Sequence, residues 1–369
     1  MSEKKITVCH LVYGFNVGGL ERIIVNCINN TNSNEYRHII ISLTNVGDFL
    51  GQISYPVDYF ELNKKNGNDP SLYIKLYKLL RNLKPDVLHS YNLGTLEYHW
   101  VAMLARVPLR IHAEHGRDSY DPDGAVSKYR WLRKITSVAL HKVVAVSDDL
   151  NHWLLDEVKL SKKKVILIPN GIDTHFYAPQ NYEHSNILTF GHVARLHAIK
   201  DQLFFLKAYS EACKVNKNFA TDTRLVIVGD GPDKEKLEEY VSEQPEIIGQ
   251  VSFEGARTNV KDYYQEFDVF LMSSIAEGIP MTLLESMSMG VPHLVTRVGG
   301  INEVIIDGLT GLSVNPQDFK GYVNSMLELY SNSEMREKMS QAARQRVQST
   351  FSQDIMVSSY DAIYKRKTR

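Results

Sequence analysis

Cysteine is scarce in this 369-residue chain, long apolar runs are missing, and the charges nearly cancel. The three cysteines, Cys9, Cys27 and Cys213, lie far apart and without paired spacing. That argues against a disulfide framework or a zinc site and for a reducing compartment. No run of about 18 apolar residues occurs, so no membrane-spanning helix is expected. Met1-Ser2-Glu3-Lys4-Lys5 leads directly into a strand-like run without the apolar region of a signal peptide, and the expected location is the cytoplasm. The formal net charge is −1. Cations are in modest excess before residue 180 and carboxylates after it, which does not suggest nucleic-acid binding. The N-terminal half is the better suited to a phosphate-bearing or membrane-surface partner. Residues 14–19 supply neither G-x-G-x-x-G nor a Gly-Lys-Ser/Thr ending, so the fingerprints of nicotinamide dehydrogenases and P-loop enzymes are absent.

What remains is an ordinary globular composition, 43% hydrophobic and 23% charged, on a chain too long for one typical core. Strand-like runs at 6–12, 37–42, 57–60, 86–90, 109–114, 142–146 and 165–168 alternate with helical patterns at 20–30, 70–83, 94–105, 125–140 and 147–155. A second series follows, with strands at 187–192, 224–228, 251–254, 269–272 and 293–296. Such alternation predicts parallel sheets with helices on both faces and functional residues at the carboxyl ends of the strands. The polar segment around Pro179 reads as a linker. The expected organisation is α/β, with doubly wound Rossmann-like domains at 1–177 and 187–351, a linker at 178–186 and a helical tail at 352–369.

Several strand ends carry residues suited to chemistry. Gly18 and Gly19 stand between the first strand and a helix, where backbone N–H groups can meet a phosphate, although a glycine pair also makes a plain turn. Glu114-His115-Gly116 ends another strand, and its histidine could be an ordinary loop residue. Arg195 and Lys200, five apart across a turn, could both reach one diphosphate or be two surface cations. In Ser273–Pro292, Glu277 precedes a helix and Glu285 lies inside it among Leu283, Leu284 and Met287. Gly278 allows close backbone approach, and Pro280 fits the first helical turn. Spacing alone leaves two readings of the glutamates open: ligand contacts at a helix start, or a dipole-neutralising carboxylate followed by an exposed helix position. His112 and His115 fall on opposite sides of a strand and make a poor metal pair. Asp121-Pro122-Asp123-Gly124 imitates an Asp-x-Asp metal motif but is a turn first. No metal is expected.

Glu277-Gly278 with Glu285, the Ser-Met-Ser-Met-Gly-Val-Pro run after it, Gly18-Gly19-Leu20-Glu21-Arg22, His115 and the Arg195…Lys200 pair together resemble the retaining family-four glycosyltransferases (glycosyl transferases group 1). The stretch from His115 to Lys134 is similar to transferases of bacterial exopolysaccharide assembly. The resemblance implies a GT-B fold, two facing domains with a cleft between them, the first on the acceptor side and the tail crossing back to it. It implies an enzyme that moves a sugar from a nucleotide diphosphate to an acceptor hydroxyl. Arg195 and Lys200 would hold the diphosphate with Gly18 and Gly19, and Glu285 the ribose. Glu277, with the backbone of Gly278, Ile279, Pro280 and Met281, would hold the sugar, Arg257 and Asn259 would neighbour the base, and His115 would line the reaction centre. UDP-sugars are the first expectation and GDP-mannose the second. The expected acceptor is a lipid-linked (polyprenyl-diphosphate) surface glycan, with lipopolysaccharide core as the alternative. An epimerase of the same fold and a non-catalytic sugar-nucleotide module are weaker alternatives. The basic and aromatic run Lys128–Lys134, with Lys75, Lys78, Arg81 and Lys84, is either a solvated face or a contact with anionic lipid.

Overall fold

Strands buried on both faces read as near-continuous Val, Ile and Leu runs, and these runs form two parallel sheets in the computed structural model. It describes residues 4–16, 18–67, 69–117, 121, 123–180 and 186–365. The chain divides into two units, the first running to Gly171 and taking in the helix Gln353–Lys365, the second spanning Ile172–Ser352.

The first unit holds β1 (Ile6–Val12), β2 (Tyr36–Ser42), β3 (Asp58–Glu61), β4 (Val87–Tyr91), β5 (Leu109–Glu114), β6 (Lys142–Ala145) and β7 (Val165–Leu167) in the order β3-β2-β1-β4-β5-β6-β7. The second holds β8 (Leu188–Val193), β9 (Thr223–Val228), β10 (Val251–Gly255), β11 (Val269–Met272), β12 (His293–Thr296) and β13 (Leu312–Val314) in the order β10-β9-β8-β11-β12-β13. Both sheets reverse direction beside their first strand, at β1/β4 and at β8/β11. Connections diverge there to opposite faces, and the crevice they leave at the carboxyl ends is where doubly wound sheets bind ligands.

The second sheet packs against the helix Gln202–Val215 through a core that includes Phe190, Phe205, Tyr209 and Phe219. In the first unit, Leu72, Leu76 and Leu80 of the helix Ser71–Leu83 pack with Leu11, Ile39 and Ile41 of the sheet. The C-terminal helix docks on the same unit. The Tyr364 hydroxyl and His89 Nδ1 share a hydrogen bond of 2.8 Å, Tyr36 donates to Asp361 at 2.7 Å, and Lys365 pairs with Glu35.

The strands lie close to their expected positions, but β13 was not anticipated: it is three residues long and only Val314 is buried. The expected helix at 94–105 is two, Leu93–Leu96 and His99–Leu104. The expected helix at 147–155 begins with Ser147 as its cap, accepting the Leu150 N–H, and loosens into a π turn at Trp153–Glu157. The linker expected at 178–186 lies partly outside the described residues, and the chain passes between units at Gly171/Ile172.

Candidate active site

In the second unit the loops leaving β8 and β11 meet at the reversal point. The backbone of Ile275 donates to the carbonyl of Ile199 at 2.8 Å, and Ser273 Oγ donates to the carbonyl of Asp201 at 2.7 Å. These bonds bring Lys200 against Glu277, Nζ to Oε1, at 2.5 Å. Ser274 Oγ donates to the same oxygen at 2.7 Å, and Oε2 takes no hydrogen bond among the described residues. The pair is partly shielded, its side chains 22% and 8% exposed. Arg195 is exposed, and its side chain has no ion pair among the described residues; its carbonyl accepts from Gln202 Nε2 at 3.0 Å.

Glycines set this framework where backbones touch. Gly229 sits at φ +145, and a Cβ there would lie 1.9 Å from the Ala194 carbonyl oxygen; one on Gly231 would lie 2.1 Å from that of Leu196. The β9 turn therefore packs on the Arg195 loop main chain to main chain. Gly299, at φ +46, leaves room in the same way for the Glu277 carbonyl, 2.0 Å from where its Cβ would be.

The helix Met281–Ser288 starts with Pro280 as its N-cap in an extended conformation, one position before the expected first turn. Glu285 is buried, 5% exposed, and Oε2 accepts the Tyr264 hydroxyl at 2.8 Å. It is thus no exposed helix position: every residue of the helix except Thr282 is buried. The serines of the small-residue run bond outward, Ser286 with His293 Nε2 at 2.8 Å and Ser288 with the Tyr177 carbonyl at 2.6 Å. Arg257 and Asn259 follow β10 at the sheet edge, two strands from β8, or about 10 Å at ordinary strand spacing. Arg257 pairs with Glu254 at 3.5 Å and Asn259 with Asp262 at 2.8 Å.

The first unit carries the other candidates. Gly18 caps the helix Gly19–Asn29 with an extended backbone, and the Glu21 carboxylate of the first turn folds back against it, 2.4 Å from where a Gly18 Cβ would lie. His115 follows β5. Its N–H donates to Asn92 Oδ1 at 2.9 Å, and neither ring nitrogen makes a hydrogen bond of good geometry. Burial holds its imidazole down to about 4 against the opposing pull of Glu114 and of the Asn170 side chain, so it is neutral at pH 7. Glu114 beside it is buried and takes Arg133 on both oxygens, Nε at 2.6 Å and Nη2 at 3.2 Å, and His112 at 3.2 Å. Arg133 thus turns inward from the basic run. Arg130 pairs with Glu157 at 2.7 Å, while Lys128, Trp131 and Lys134 remain exposed. Tyr264, Ser274, Gly299 and Asn92 escaped the reading of the sequence. Only the Gly299-Gly300 pair left a signal there.

Residues 17–176 match the model of Glycosyltransferase Family 4, and residues 187–332 match that of Glycosyl transferases group 1. The chain belongs to the family 4, group 1 glycosyltransferases. Among relatives, this glycosyltransferase is similar to the UDP-Gal:alpha-D-GlcNAc-diphosphoundecaprenol alpha-1,3-galactosyltransferase of Escherichia coli, 26% identical over 71% of this chain and 70% of that one. It is similar to EpsF of Bacillus subtilis at 23% identity, over 84% and 83%. Among solved structures, HepE of Anabaena in complex with UDP superposes with a TM-score of 0.82 at 17% identity, over 97% of this chain and 99% of that one. The shared fold is GT-B.

Proposed function

We propose that this glycosyltransferase moves a sugar, with retention of anomeric configuration, from a nucleotide diphosphate, foremost a UDP-sugar, to a hydroxyl of a glycan or polyprenyl-diphosphate-linked glycan in bacterial surface polysaccharide synthesis. The observation that carries the reading is the meeting of Lys200 and Glu277 at the β8/β11 reversal point, with Glu285 buried in the helix that follows. Ser274 and Lys200 fix one oxygen of Glu277, which leaves Oε2 for a sugar hydroxyl. Arg195, exposed in the same loop as Lys200, is the cation for the diphosphate, with the backbone of Gly18 and Gly19 as its further contact. Glu285, oriented by Tyr264, takes the ribose hydroxyls.

The anomeric C–O bond to the diphosphate breaks as the acceptor oxygen bonds the same face, and the acceptor proton leaves on the departing diphosphate. Charge grows on that diphosphate, so Arg195 and Lys200 stabilise the transition state. Neutral His115 lines the reaction centre. With two cations in this role, turnover is expected without a metal, and activity undiminished by EDTA checks it. The E. coli relative names a diphosphoundecaprenol-linked acceptor, which supports the lipid-linked choice.

No helix among the described residues is long and apolar enough to cross a membrane. Access to such an acceptor would come from the inner face of the cytoplasmic membrane through Lys128, Trp131 and Lys134. Sedimentation with anionic vesicles at low salt checks that contact, and protein left in the supernatant would refute it. Formation of a glycosylated lipid from UDP-galactose and undecaprenyl-diphosphate-linked N-acetylglucosamine, with the new bond's configuration read by NMR, tests the reaction itself.

A further inference from the structure

Asn92 directly precedes the helix Leu93–Leu96, a place where asparagine ordinarily caps the helix by accepting an N–H two or three residues on. It makes no such bond. Its Oδ1 instead crosses to the end of the neighbouring β5 and accepts the N–H of His115 at 2.9 Å. Its own N–H donates to the Ala113 carbonyl at 2.9 Å, one step beyond the last β4–β5 pair. Its carbonyl has turned away from the ladder to Thr95, accepting from N at 3.1 Å and from Oγ1 at 3.2 Å. The side-chain oxygen thus bonds β5 after the main-chain oxygen has left the ladder.

This arrangement has a conformational cost. Asn92 sits at φ +58, ψ 167, a region that residues other than glycine avoid and that persists only when its surroundings enforce it. Thr95 enforces it, bonding Tyr91 through both the Tyr91 N–H at 3.0 Å and carbonyl at 2.7 Å. The Tyr91 ring lies 5.7 Å from the His115 imidazole. Glycine would relieve the strain and lose only the bond to His115. That an asparagine stands here assigns the bond a purpose.

We propose that Asn92 is a positioning residue for sugar transfer, holding the main chain at His115 so that the half-buried imidazole stays beside Tyr91 and faces the reacting groups. The proposal rests on the reading of His115 as a residue of the reaction centre. Three substitutions separate its consequences. Asn92→Gly frees the backbone and removes the acceptor, Asn92→Asp keeps an acceptor oxygen, and His115→Ala removes the group being positioned.

The test uses the full chain. Turnover is followed as UDP released from UDP-galactose with undecaprenyl-diphosphate-linked N-acetylglucosamine, and His115 is titrated by NMR, which needs no substrate. Asn92→Gly should melt at or above the wild-type temperature yet lose about ten-fold or more in kcat, with KM for UDP-galactose changed by less than about two-fold. Asn92→Asp should recover most of the loss, and Asn92→Gly combined with His115→Ala should be no slower than His115→Ala alone. In the glycine variant the His115 ring should titrate closer to an ordinary histidine, with Glu114, His112, His89 and Tyr91 as its titratable neighbours. An unchanged His115 titration in Asn92→Gly overturns the proposal whether or not this donor and acceptor pair turns over. So does normal kcat in Asn92→Gly beside a crippled His115→Ala, or a loss of kcat matched by a loss of stability. Full turnover by His115→Ala instead removes the role of His115 on which the proposal stands, and the proposal with it.

Discussion

Lys200 and Glu277, 77 residues apart in the chain, meet at 2.5 Å where the second sheet reverses direction. Neither residue's sequence neighbourhood announces the other, and the ion pair gives each a structural task beside its proposed one. Lys200→Ala should lower turnover about 10²–10³-fold if Lys200 stabilises the departing diphosphate. It would also leave a nearly buried carboxylate unpaired, at a cost of about 1–3 kcal/mol in stability. Glu277→Gln keeps the shape and should cost less stability while still slowing transfer. Initial rates and chemical denaturation on the same samples separate the two effects, and near-normal turnover in Lys200→Ala refutes the assignment.

Gly299 makes a second test possible away from any reacting group. An added Cβ would lie 2.0 Å from the Glu277 carbonyl oxygen, and at φ +46 the backbone is already unfavourable for alanine. Gly299→Ala must therefore push the 277–278 backbone. Its expected signature is impaired transfer with the nucleotide affinity of UDP alone preserved, measured by calorimetry. Gly308→Ala, at φ +74 with open space around it, serves as the control for strain without displacement.

Much of this molecule was legible in its sequence, and what was not has a common cause. Apolar runs such as Val269–Met272 mark strands because burial on both faces demands them. Polar residues carry no such mark. Glu285 looked as much like an exposed helix position as a ligand contact, and Arg133 looked like one more cation in a basic run. Both are buried by partners, Tyr264 and Glu114, that lie 21 and 19 residues away. Asn92 drew no notice, since only the fold brings the end of β5 beside it. Of the site, Lys200, Glu277 and Glu285 were named from motifs, but the pairing of the first two was not.

Arg133 and Glu114 predict a particular acid sensitivity. Burial pushes the Glu114 carboxyl up, but Arg133 and His112 outweigh it and hold the group well below the usual carboxylate range. A depressed folded pKa means that the stabilisation is complete above the unfolded value near 4 and is lost as pH falls below it. Arg133→Met, which strands the carboxylate, should cost about 3–5 kcal/mol at neutral pH, and pairing it with Glu114→Gln should restore much of that. Urea unfolding at pH 7 and pH 3 measures both; additive losses in the double variant would contradict the coupling.

Histidines set an earlier transition. Burial holds His38, His115 and His192 down to about 4 and His293 to about 3, and pushes His10, His89 and His99 well below their ordinary value. Unfolding lets each take a proton near pH 6.5. Their contribution is therefore full above that pH and declines as pH falls towards 4, by about 1.4 kcal/mol per group per pKa unit. The melting temperature should fall between pH 6.5 and 4.5, before most carboxylates protonate. A flat profile over that window would contradict the buried neutral assignment.

The central claim is that the carboxyl edge of the second sheet binds a nucleotide-diphosphate sugar through Lys200, Glu277 and Glu285, and ligand-induced stabilisation tests it most directly. The protein is melted with UDP-, GDP-, ADP- and CMP-sugars, where a ligand at 100 times its dissociation constant adds about 2.7 kcal/mol. A UDP-sugar should raise the melting temperature of the wild type and much less that of Glu285→Ala or Lys200→Ala. No shift with any of the four, or equal shifts in wild type and both variants, would contradict the account.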